Sequence, residues 1–371
     1  MKILYGVVGE GMGHATRSKV VIEHLVETGH RVKIVASGRA FHFLKKSFDD
    51  VVEIQGLTMQ YRDGAFDRDL SVLRNVLLSP KIILDNAHAY FEEVRGFQPE
   101  MVVSDFDSFA HLFAKRHGLP IVSIDNQQII HRCKHDKDIK EGVALDFEGT
   151  KAFVKAKLPG CDQYIITSFF FPKVRDKFAH NTTLVPPILR KPILEVKPTR
   201  GDHVLVYQTS ASDQQLLPTL KKLSKRSFVV YGLRREAVED NCIIKDFSEE
   251  GFVKDLASSR AVVTNGGLSL LHEAIYLGKP IFSVPVRHQF EQEMNARYLE
   301  KLGYGLGAPF IQADTLEWFL QQESRYVSAL AHHKQHGNDE LFRALDLQIE
   351  RFARRNPGKK KKKIKAEPSP P

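Results

Sequence analysis

The stretch TNGGLSLLHEAIYLGKPIFSVPVRHQFEQEMNARYLEKLGYG, residues 264–305, joins an apolar strand to a glycine turn and a helix. Gly266 and Gly267 precede the helix and Ser269 lies in its first turn, so backbone amides and a hydroxyl can cradle an anion there. Glu273 follows one turn later, where its carboxylate can accept hydrogen bonds from both hydroxyls of a ribose. The pattern predicts an α/β sheet with a ligand at its edge.

A second helix start in the same stretch, FEQEMNA, carries Glu291, Gln292 and Asn295. Neighbouring acid and amide side chains suit a ligand that is rich in hydroxyl groups. Together with the anion cradle, they indicate a sugar carried on a phosphate-containing group.

The N-terminal loop GEGMGHATRS, residues 9–18, is a second glycine-rich turn between a strand and a helix. It is not a dinucleotide fingerprint, because the third glycine of G-x-G-x-x-G falls on His14 and no acid follows the second strand, which runs into Arg39. A tight turn is enough to explain the glycines, but it does not explain an imidazole at the start of the helix. A neutral histidine that faces a cleft can act as a base.

Alternating strand and helix patterns fill most of the chain, with an irregular polar stretch expected at 56–70 and a long helix from about Leu70 to Arg95. The runs KILYGVV, RVKIVAS, MVVSDF and PIVSID are nearly all apolar, as expected of parallel strands buried on both faces. We expect two Rossmann-like, doubly wound parallel-sheet domains that face a cleft. The predicted boundaries are an N-terminal domain at 1–185, a Pro-rich linker at 186–200, a C-terminal domain at 201–330, a helical segment at 331–355 and a disordered basic tail at 356–371.

Composition narrows the cellular setting. Three cysteines cannot form a disulfide framework, and no apolar run is long enough to span a bilayer, so we expect a cytoplasmic protein. From Arg351 onward the chain carries a net +8 of its total +9, leaving a nearly neutral body. Because the basic residues are confined to the tail, a nucleic-acid partner is disfavoured and an anionic membrane surface, reached through Lys359–Lys365, is favoured.

The motifs together resemble those of the two-domain glycosyltransferases of the GT-B fold. Their donor-binding pattern combines a glycine pair and a following glutamate with G-x-P-x-x-x-x-P and Q-x-x-N-A. The residues that match it are Gly266, Gly267, Glu273, Gly278, Pro280, Pro285, Gln292, Asn295 and Ala296. The loop GVVGEGMGHATRS is similar to that of the N-acetylglucosaminyltransferase family of the peptidoglycan lipid intermediate, and closer still to little-characterised prokaryotic glycosyltransferase-like proteins. The resemblance covers both halves of the chain.

The resemblance implies a role for each matched residue. His14 is expected to face the acceptor as general base or oxyanion stabiliser, oriented by Asp105 from the sequence SDFD. The donor-binding residues implied are Gly11, Gly13, Phe247, Gly266, Gly267, Ser269, Glu273, Glu291, Gln292 and Asn295. The reaction implied is an inverting transfer from a nucleotide-sugar, taken here as UDP-linked, to an acceptor in the membrane or cell envelope. No cofactor and no metal are implied.

Several alternatives stay open on the residues alone. Asp107 can replace Asp105, and either can cap the next helix. Glu273 alone can be a solvated helix acid. Thr209 and Ser210 stand where the family has a second glycine loop, which leaves open how the diphosphate is held. The His/Cys groups HRCKH and HHKQH lack four zinc ligands and are expected to be surface histidines.

Two other activities fit the same fold. A nucleotide-sugar 2-epimerase would use Glu291 and Asp105 as its acid and base groups. A non-catalytic regulator would bind a nucleotide-sugar, or nucleic acid through the tail, without turnover.

Truncation after Arg355 should abolish binding to anionic vesicles and leave nucleotide-sugar binding unchanged. The removed tail holds six lysines, each contributing ~1 kcal/mol near an anionic surface before screening. Vesicle sedimentation of the full-length and truncated proteins measures the difference, and raising the salt from about 0.1 M to about 1 M should release the full-length protein. Equal sedimentation of the two proteins would contradict the assignment to the tail.

Overall fold

The computed structural model describes residues 1–9, 11–56, 60–62, 65–67, 86–87, 89–208, 215–334 and 336–355. Two seven-stranded sheets dominate it, each with helices on both faces. The predicted fold class, two Rossmann-like parallel-sheet units, is confirmed. We call each sheet with the helices packed on it a lobe, the first lobe being the one that contains the N-terminus.

The first sheet is parallel, with the strand order β3-β2-β1-β6-β7-β8-β9. The strands of this half of the chain are β1 (Lys2–Val7), β2 (Arg31–Ala36), β3 (Val51–Glu53), β4 (Gln60–Arg62), β5 (Ala65–Asp67), β6 (Met101–Asp105), β7 (Ile121–Asp125), β8 (Gln163–Thr167) and β9 (Thr182–Val185). β4 and β5 form a separate antiparallel pair within 56–70, which the sequence had predicted to be irregular. The order reverses between β1 and β6, which creates a crevice at their carboxyl ends.

The second sheet repeats this plan in the order β12-β13-β11-β10-β14-β15-β16. Its strands are β10 (His203–Tyr207), β11 (Ser227–Tyr231), β12 (Ala237–Glu239), β13 (Cys242–Lys245), β14 (Ala261–Thr264), β15 (Ile281–Ser283) and β16 (Gly305–Gly307). Only β12 runs antiparallel to its neighbour. The reversal here lies between β10 and β14, so the glycine turn at 266–267 leaves the sheet at the same kind of crevice.

Helices cover both sheets. They are α1 (Met12–Glu27), α2 (Gly38–Leu44), α3 (Arg95–Phe97, continuing a π-helical turn at Ala89–Val94), α4 (Ser108–His117), α5 (Gln128–Arg132), α6 (Lys137–Lys140), α7 (Ala144–Lys157), α8 (Lys191–Glu195), α9 (Leu216–Lys221), α10 (Glu249–Ser258), α11 (Leu268–Tyr276), α12 (Phe290–Lys301), α13 (Ala313–Gln321), α14 (Glu323–Ala331) and α15 (Asp339–Arg355). A 3₁₀ turn spans Asp176–Asn181. Of the helix expected from about Leu70 to Arg95, residues 70–85 lie outside the described ranges.

The cores explain why the strands are apolar throughout. In β1, Leu4 belongs to one buried cluster, whereas Ile3 and Tyr5 belong to another on the opposite face. The cluster around Leu4 continues into the second lobe, so the two lobes share one apolar core where they meet. The cluster around Ile3 is completed by α15, which returns from the end of the chain to cover the first sheet.

The Pro-rich segment 186–200 connects the two sheets and contains the short helix α8. The domain boundaries drawn from the sequence remain a proposal. No helix within the described ranges is both long and apolar enough to cross a membrane.

Gly305→Ala should destabilise the protein strongly. A Cβ at this position in β16 would lie 1.9 Å from the carbonyl oxygen of Ile281 in β15, and backbone at that distance must move. The expected loss in the free energy of unfolding is about 1–3 kcal/mol or more, measured by urea denaturation. Gly337→Ala is the control, since nothing lies within 4 Å of its Cβ position. Similar stability of the two variants would contradict the packing seen at β16.

Candidate functional site

The first half of the candidate site forms where three neighbouring strands end. β1 lies beside β6 with Val7 opposite Asp105, and β7 follows on the other side of β6. Because parallel strands end at the same edge of a sheet, the residues that follow β1, β6 and β7 meet there. This brings His14 of α1, Asp105 of β6 and Asn126 after β7 into one group.

One face of α1 points at Asp105. His14, Arg17 and Ser18 are spaced three and four residues apart, which places them on the same side of a helix. His14 Nδ1 lies 2.8 Å from Asp105 Oδ1, and Ser18 Oγ donates to Oδ2 at 2.8 Å. Arg17 donates from Nε to Oδ2 at 2.8 Å and from Nη2 to Oδ1.

Asp105 is only 1% exposed, yet it is ionised. Burial would raise the pKa of this carboxyl, but the charge of Arg17 and the contact with His14 outweigh burial and hold the pKa well below its usual range. Asp107, the alternative left open by the sequence, instead caps α4 by accepting from Ala110 N at 2.8 Å. Its pKa is raised to about 6 by burial.

The contacts of His14 assign its proton to Nδ1. With Nδ1–H donating to Asp105, Nε2 carries a lone pair, and it faces Gln127 Nε2 at 3.2 Å. This amide nitrogen is a donor, so the assignment satisfies both sides of the ring. Arg17 Nη2 lies 2.7 Å from Nδ1 because both groups share Asp105 Oδ1 as their acceptor. An unprotonated Nε2, able to accept a proton, is what a general base requires.

The side-chain amides of Asn126 and Gln127 connect the first lobe to the second. Asn126 Nδ2 donates to Glu291 Oε1 at 2.7 Å, and Gln127 Nε2 lies 3.3 Å from Glu291 Oε2. Asn126 is itself held from behind by Arg17, which donates to its Oδ1. Gln127 Oε1 is buried without a hydrogen-bond partner among the described residues. A continuous polar chain therefore runs from Asp105 through His14 and Gln127 to Glu291.

The second lobe supplies the glycine turn. Gly266, at φ +85°, and Gly267 follow β14 and lead into α11, whose first turn contains Ser269. Asn295 Nδ2 donates to Gly266 O at 3.1 Å, and Gln292 Oε1 accepts from Val286 N at 2.9 Å. Asn295 and Gln292 therefore fix the backbone around the turn.

Glu273 lies in α11 and is only 6% exposed, so the alternative that it is a solvated helix acid is wrong. Arg190, at the start of α8, donates from Nε to Glu273 Oε1 at 2.7 Å and from Nη2 to Oε2 at 2.8 Å. Its remaining terminal nitrogen, Nη1, donates to Glu249 Oε1 at 2.7 Å.

Three other predicted residues differ in their surroundings. Gly13 of the first lobe faces α11 so closely that a Cβ on it would lie 2.7 Å from Ser269 Oγ. Gly11 precedes α1 at φ +79° and faces open space. Phe247, which follows β13, is 58% exposed and packs edge-on against Tyr231.

The comparison with protein families gives a match over residues 1–323 to the model of glycosyl transferase family 1. The chain belongs to this family. An uncharacterised glycosyltransferase of Methanosarcina acetivorans is 26% identical over 332 residues, which cover 82% of this chain and 85% of the relative. The protein is thus a glycosyltransferase, as the resemblance implied.

Solved structures agree on the fold. The glycotransferase of kitacinnamycin superposes with a TM-score of 0.67 at 16% identity, covering 95% of this chain and 98% of its own. The spinosyn rhamnosyltransferase SpnG, complexed with thymidine diphosphate, superposes with a TM-score of 0.61 at 16% identity, covering 94% of this chain and all of its own. At these identities the likeness shows the GT-B fold.

Five described polar residues of the glycosyltransferase that contact the predicted site were not among the candidates. They are Arg17, Ser18, Asn126, Gln127 and Arg190. The spacing of Arg17 and Ser18 from His14 on one helix was an available signal. Nothing local in the Pro-rich segment pointed to Arg190.

The expectation that the histidines of HRCKH are surface residues is wrong. His131 and His135 are buried, and His135 Nδ1 lies 2.9 Å from the hydroxyl of Tyr298 in the other lobe. Tyr298 also stacks on Phe170 with 3.8 Å between ring centroids. These residues belong to the packing between the lobes of the glycosyltransferase.

Two cavities open along the boundary between the lobes, with volumes of about 540 and 180 Å³. Pro285, Glu293 and Pro309 line both of them, and the predicted site residues line neither. At the predicted site, the carboxylates of Asp105, Glu273 and Glu291 instead accept hydrogen bonds from side chains of the protein. Thr209, Ser210 and the lysine tail lie outside the described residues.

Proposed function

We propose that the protein transfers a sugar from a nucleotide-sugar, UDP-linked, to an acceptor hydroxyl, with inversion and without a metal ion. The observation that carries the proposal is the polar chain Asp105–His14–Gln127–Glu291. It connects the proposed base, His14, in one lobe with a carboxylate able to bind sugar hydroxyls, Glu291, in the other, through the single amide of Gln127. An acceptor hydroxyl and a donor sugar would meet at that amide.

The proposed role of His14 is to remove the proton of the acceptor hydroxyl. Its Nε2 lone pair faces the lobe boundary, and Asp105 stabilises the imidazolium that forms. Asp105 is suited to this, because Arg17 keeps it ionised despite burial. The attacking oxygen would approach the sugar from the side opposite the leaving diphosphate, which gives inversion.

The proposed donor site is the glycine turn with Ser269, Glu273 and Glu291. The amides after Gly266 and the dipole of α11 favour a diphosphate, so the leaving group gains stabilisation without a cation. Asp105 supports metal independence, since both of its oxygens already accept from Arg17. The thymidine diphosphate in SpnG makes a nucleoside diphosphate the reasonable ligand class.

The alternatives are less well supported. A 2-epimerase would need Asp105 to exchange a proton with the sugar, but this carboxylate is 1% exposed and holds His14, Arg17 and Ser18. Family membership favours a transferase over a non-catalytic regulator. A lipid-linked acceptor reached through the basic tail, at the inner face of the membrane, remains part of the proposal.

His14→Ala should leave donor binding unchanged and slow turnover by about 10²–10⁴-fold, because the acceptor loses its base. Calorimetry with UDP measures the binding, and release of UDP from a UDP-sugar panel measures turnover. His42→Ala, an exposed histidine on α2, is the matched control and should keep both properties. Weaker donor binding with normal turnover at saturation would make His14 a binding residue and refute the mechanism.

Glu273→Ala should weaken UDP binding by roughly 10- to 100-fold, because the ribose hydroxyls lose a charged acceptor worth about 1.5–3 kcal/mol. Glu249→Ala is the control, since it also removes a partner of Arg190 but leaves the ribose acceptor in place. Melting temperatures establish that both variants are folded. Unchanged UDP affinity in a folded Glu273 variant would refute the assignment.

A further inference from the structure

Arg190 is the one residue of the Pro-rich segment that reaches into the proposed donor site, as far as the described residues show. It lies at the N-cap of α8, and its guanidinium meets the carboxylate of Glu273 edge to edge. Both bonds are short, at 2.7 and 2.8 Å, and each uses a different oxygen of Glu273. This two-bond geometry fixes the plane of the carboxylate as well as its position.

The ion pair between Arg190 and Glu273 is buried, so neither charge is solvated by water alone. Glu273 is 6% exposed, and the side chain of Arg190 is 13% exposed. A carboxylate at this depth requires a cation or several donors to remain ionised. Burial would lower the pKa of Arg190, but the hydrogen bond and the charge of Glu273 raise it above its ordinary value. Arg190 is therefore charged at neutral pH and forms an ion pair with Glu273.

Arg190 occupies only part of the acceptor capacity of Glu273. An ionised carboxylate offers about four lone-pair sites, two on each oxygen. Arg190 uses one site on each oxygen, and no other described residue donates to Glu273. One site per oxygen is left, which matches two hydroxyls on adjacent carbons of a ribose.

We propose that Arg190 is a positioning residue that orients Glu273 so that the carboxylate reads both ribose hydroxyls of the donor. This inference rests on the proposed function and extends it to specificity: the enzyme selects ribonucleotides over 2′-deoxyribonucleotides, and the selection depends on Arg190. Glu249 accepts the third hydrogen bond of Arg190, but its side chain is 51% exposed, so this bond is a surface contact that contributes little.

The test compares UDP with 2′-deoxy-UDP by calorimetry, with GDP and 2′-deoxy-GDP as a second pair. The wild type should prefer the ribonucleotide about 10-fold, the contribution of one hydrogen bond to a charged group. Arg190→Gln should weaken ribonucleotide binding about 100-fold and binding of the deoxy compound, which loses only its 3′-hydroxyl contact, about 10-fold, so the ratio should fall to about one. Arg190→Lys keeps the charge but loses the two-bond geometry, so its ratio should fall between these values.

Glu249→Gln is the matched control and should keep the wild-type preference, because the bonds between Arg190 and Glu273 remain. For turnover, Arg190→Gln should raise KM for the donor and leave kcat within a few-fold, since Glu273 does not touch the reacting atoms. An Arg190 variant that binds UDP more tightly would show that Arg190 competes with the ribose, and this would overturn the inference.

The remaining outcomes separate the two levels of the proposal. A folded Arg190→Lys or Arg190→Gln variant that keeps the full ribonucleotide preference overturns the positioning role and leaves the proposed function intact. If the wild type binds UDP and 2′-deoxy-UDP, or GDP and 2′-deoxy-GDP, equally, the inference that Glu273 contacts the 2′-hydroxyl is overturned. A wild type that binds neither UDP nor GDP overturns the proposed donor itself, and the role of Arg190 with it.

Discussion

The ion pair between Asp105 and Arg17 is the contact on which the first half of the site depends. Both groups are buried, and each would be costly to bury alone, since removing one partner of such a pair typically destabilises a protein by about 3–5 kcal/mol. Asp105 ends β6 and Arg17 lies on α1, so the pair ties the helix after the first strand to the neighbouring strand. His14 and Asn126 are then held by the same two charges.

The boundary between the lobes combines two kinds of packing. On one side of it, the rings of Phe170, Tyr298 and His135 form an aromatic contact that includes a hydrogen bond between His135 and Tyr298. At the strand ends, the contact is made by the polar side chains of Asn126, Gln127 and Glu291. Polar side chains exchange partners at little cost when a ligand with hydroxyl groups replaces them, whereas the aromatic contact would have to open to water. In the proposed mechanism, the substrates therefore meet at the polar side.

The sequence predicted the features that follow from local pattern. Apolar strands and the glycine turns at 11 and 266 determine the two sheets and their crevices, and those were correct. The buried His135 was misjudged because its partner Tyr298 comes from the other lobe, and the buried His131 because it packs on Phe178, which is distant in the chain; no local pattern reports such contacts. Arg190 was missed for the same reason: it meets Glu273 across 83 residues of chain, and a single arginine among prolines carries no spacing signal.

The two acids of the proposed donor site differ in how a ligand can reach them. Glu291 receives amides from the other lobe, and the nitrogen of Gln127 lies between it and His14, where the reacting groups must meet. Gln127 must therefore move before the reaction can proceed, and its unpaired Oε1 gives it an acceptor to offer a hydroxyl. Glu273 has no such obstacle, because Arg190 approaches it from one side and leaves acceptor sites on both oxygens. In the proposed mechanism, the ribose therefore binds without displacing Arg190, whereas the sugar displaces Gln127 from Glu291 and His14. The proposed base would then be uncovered only when a substrate hydroxyl replaces the amide.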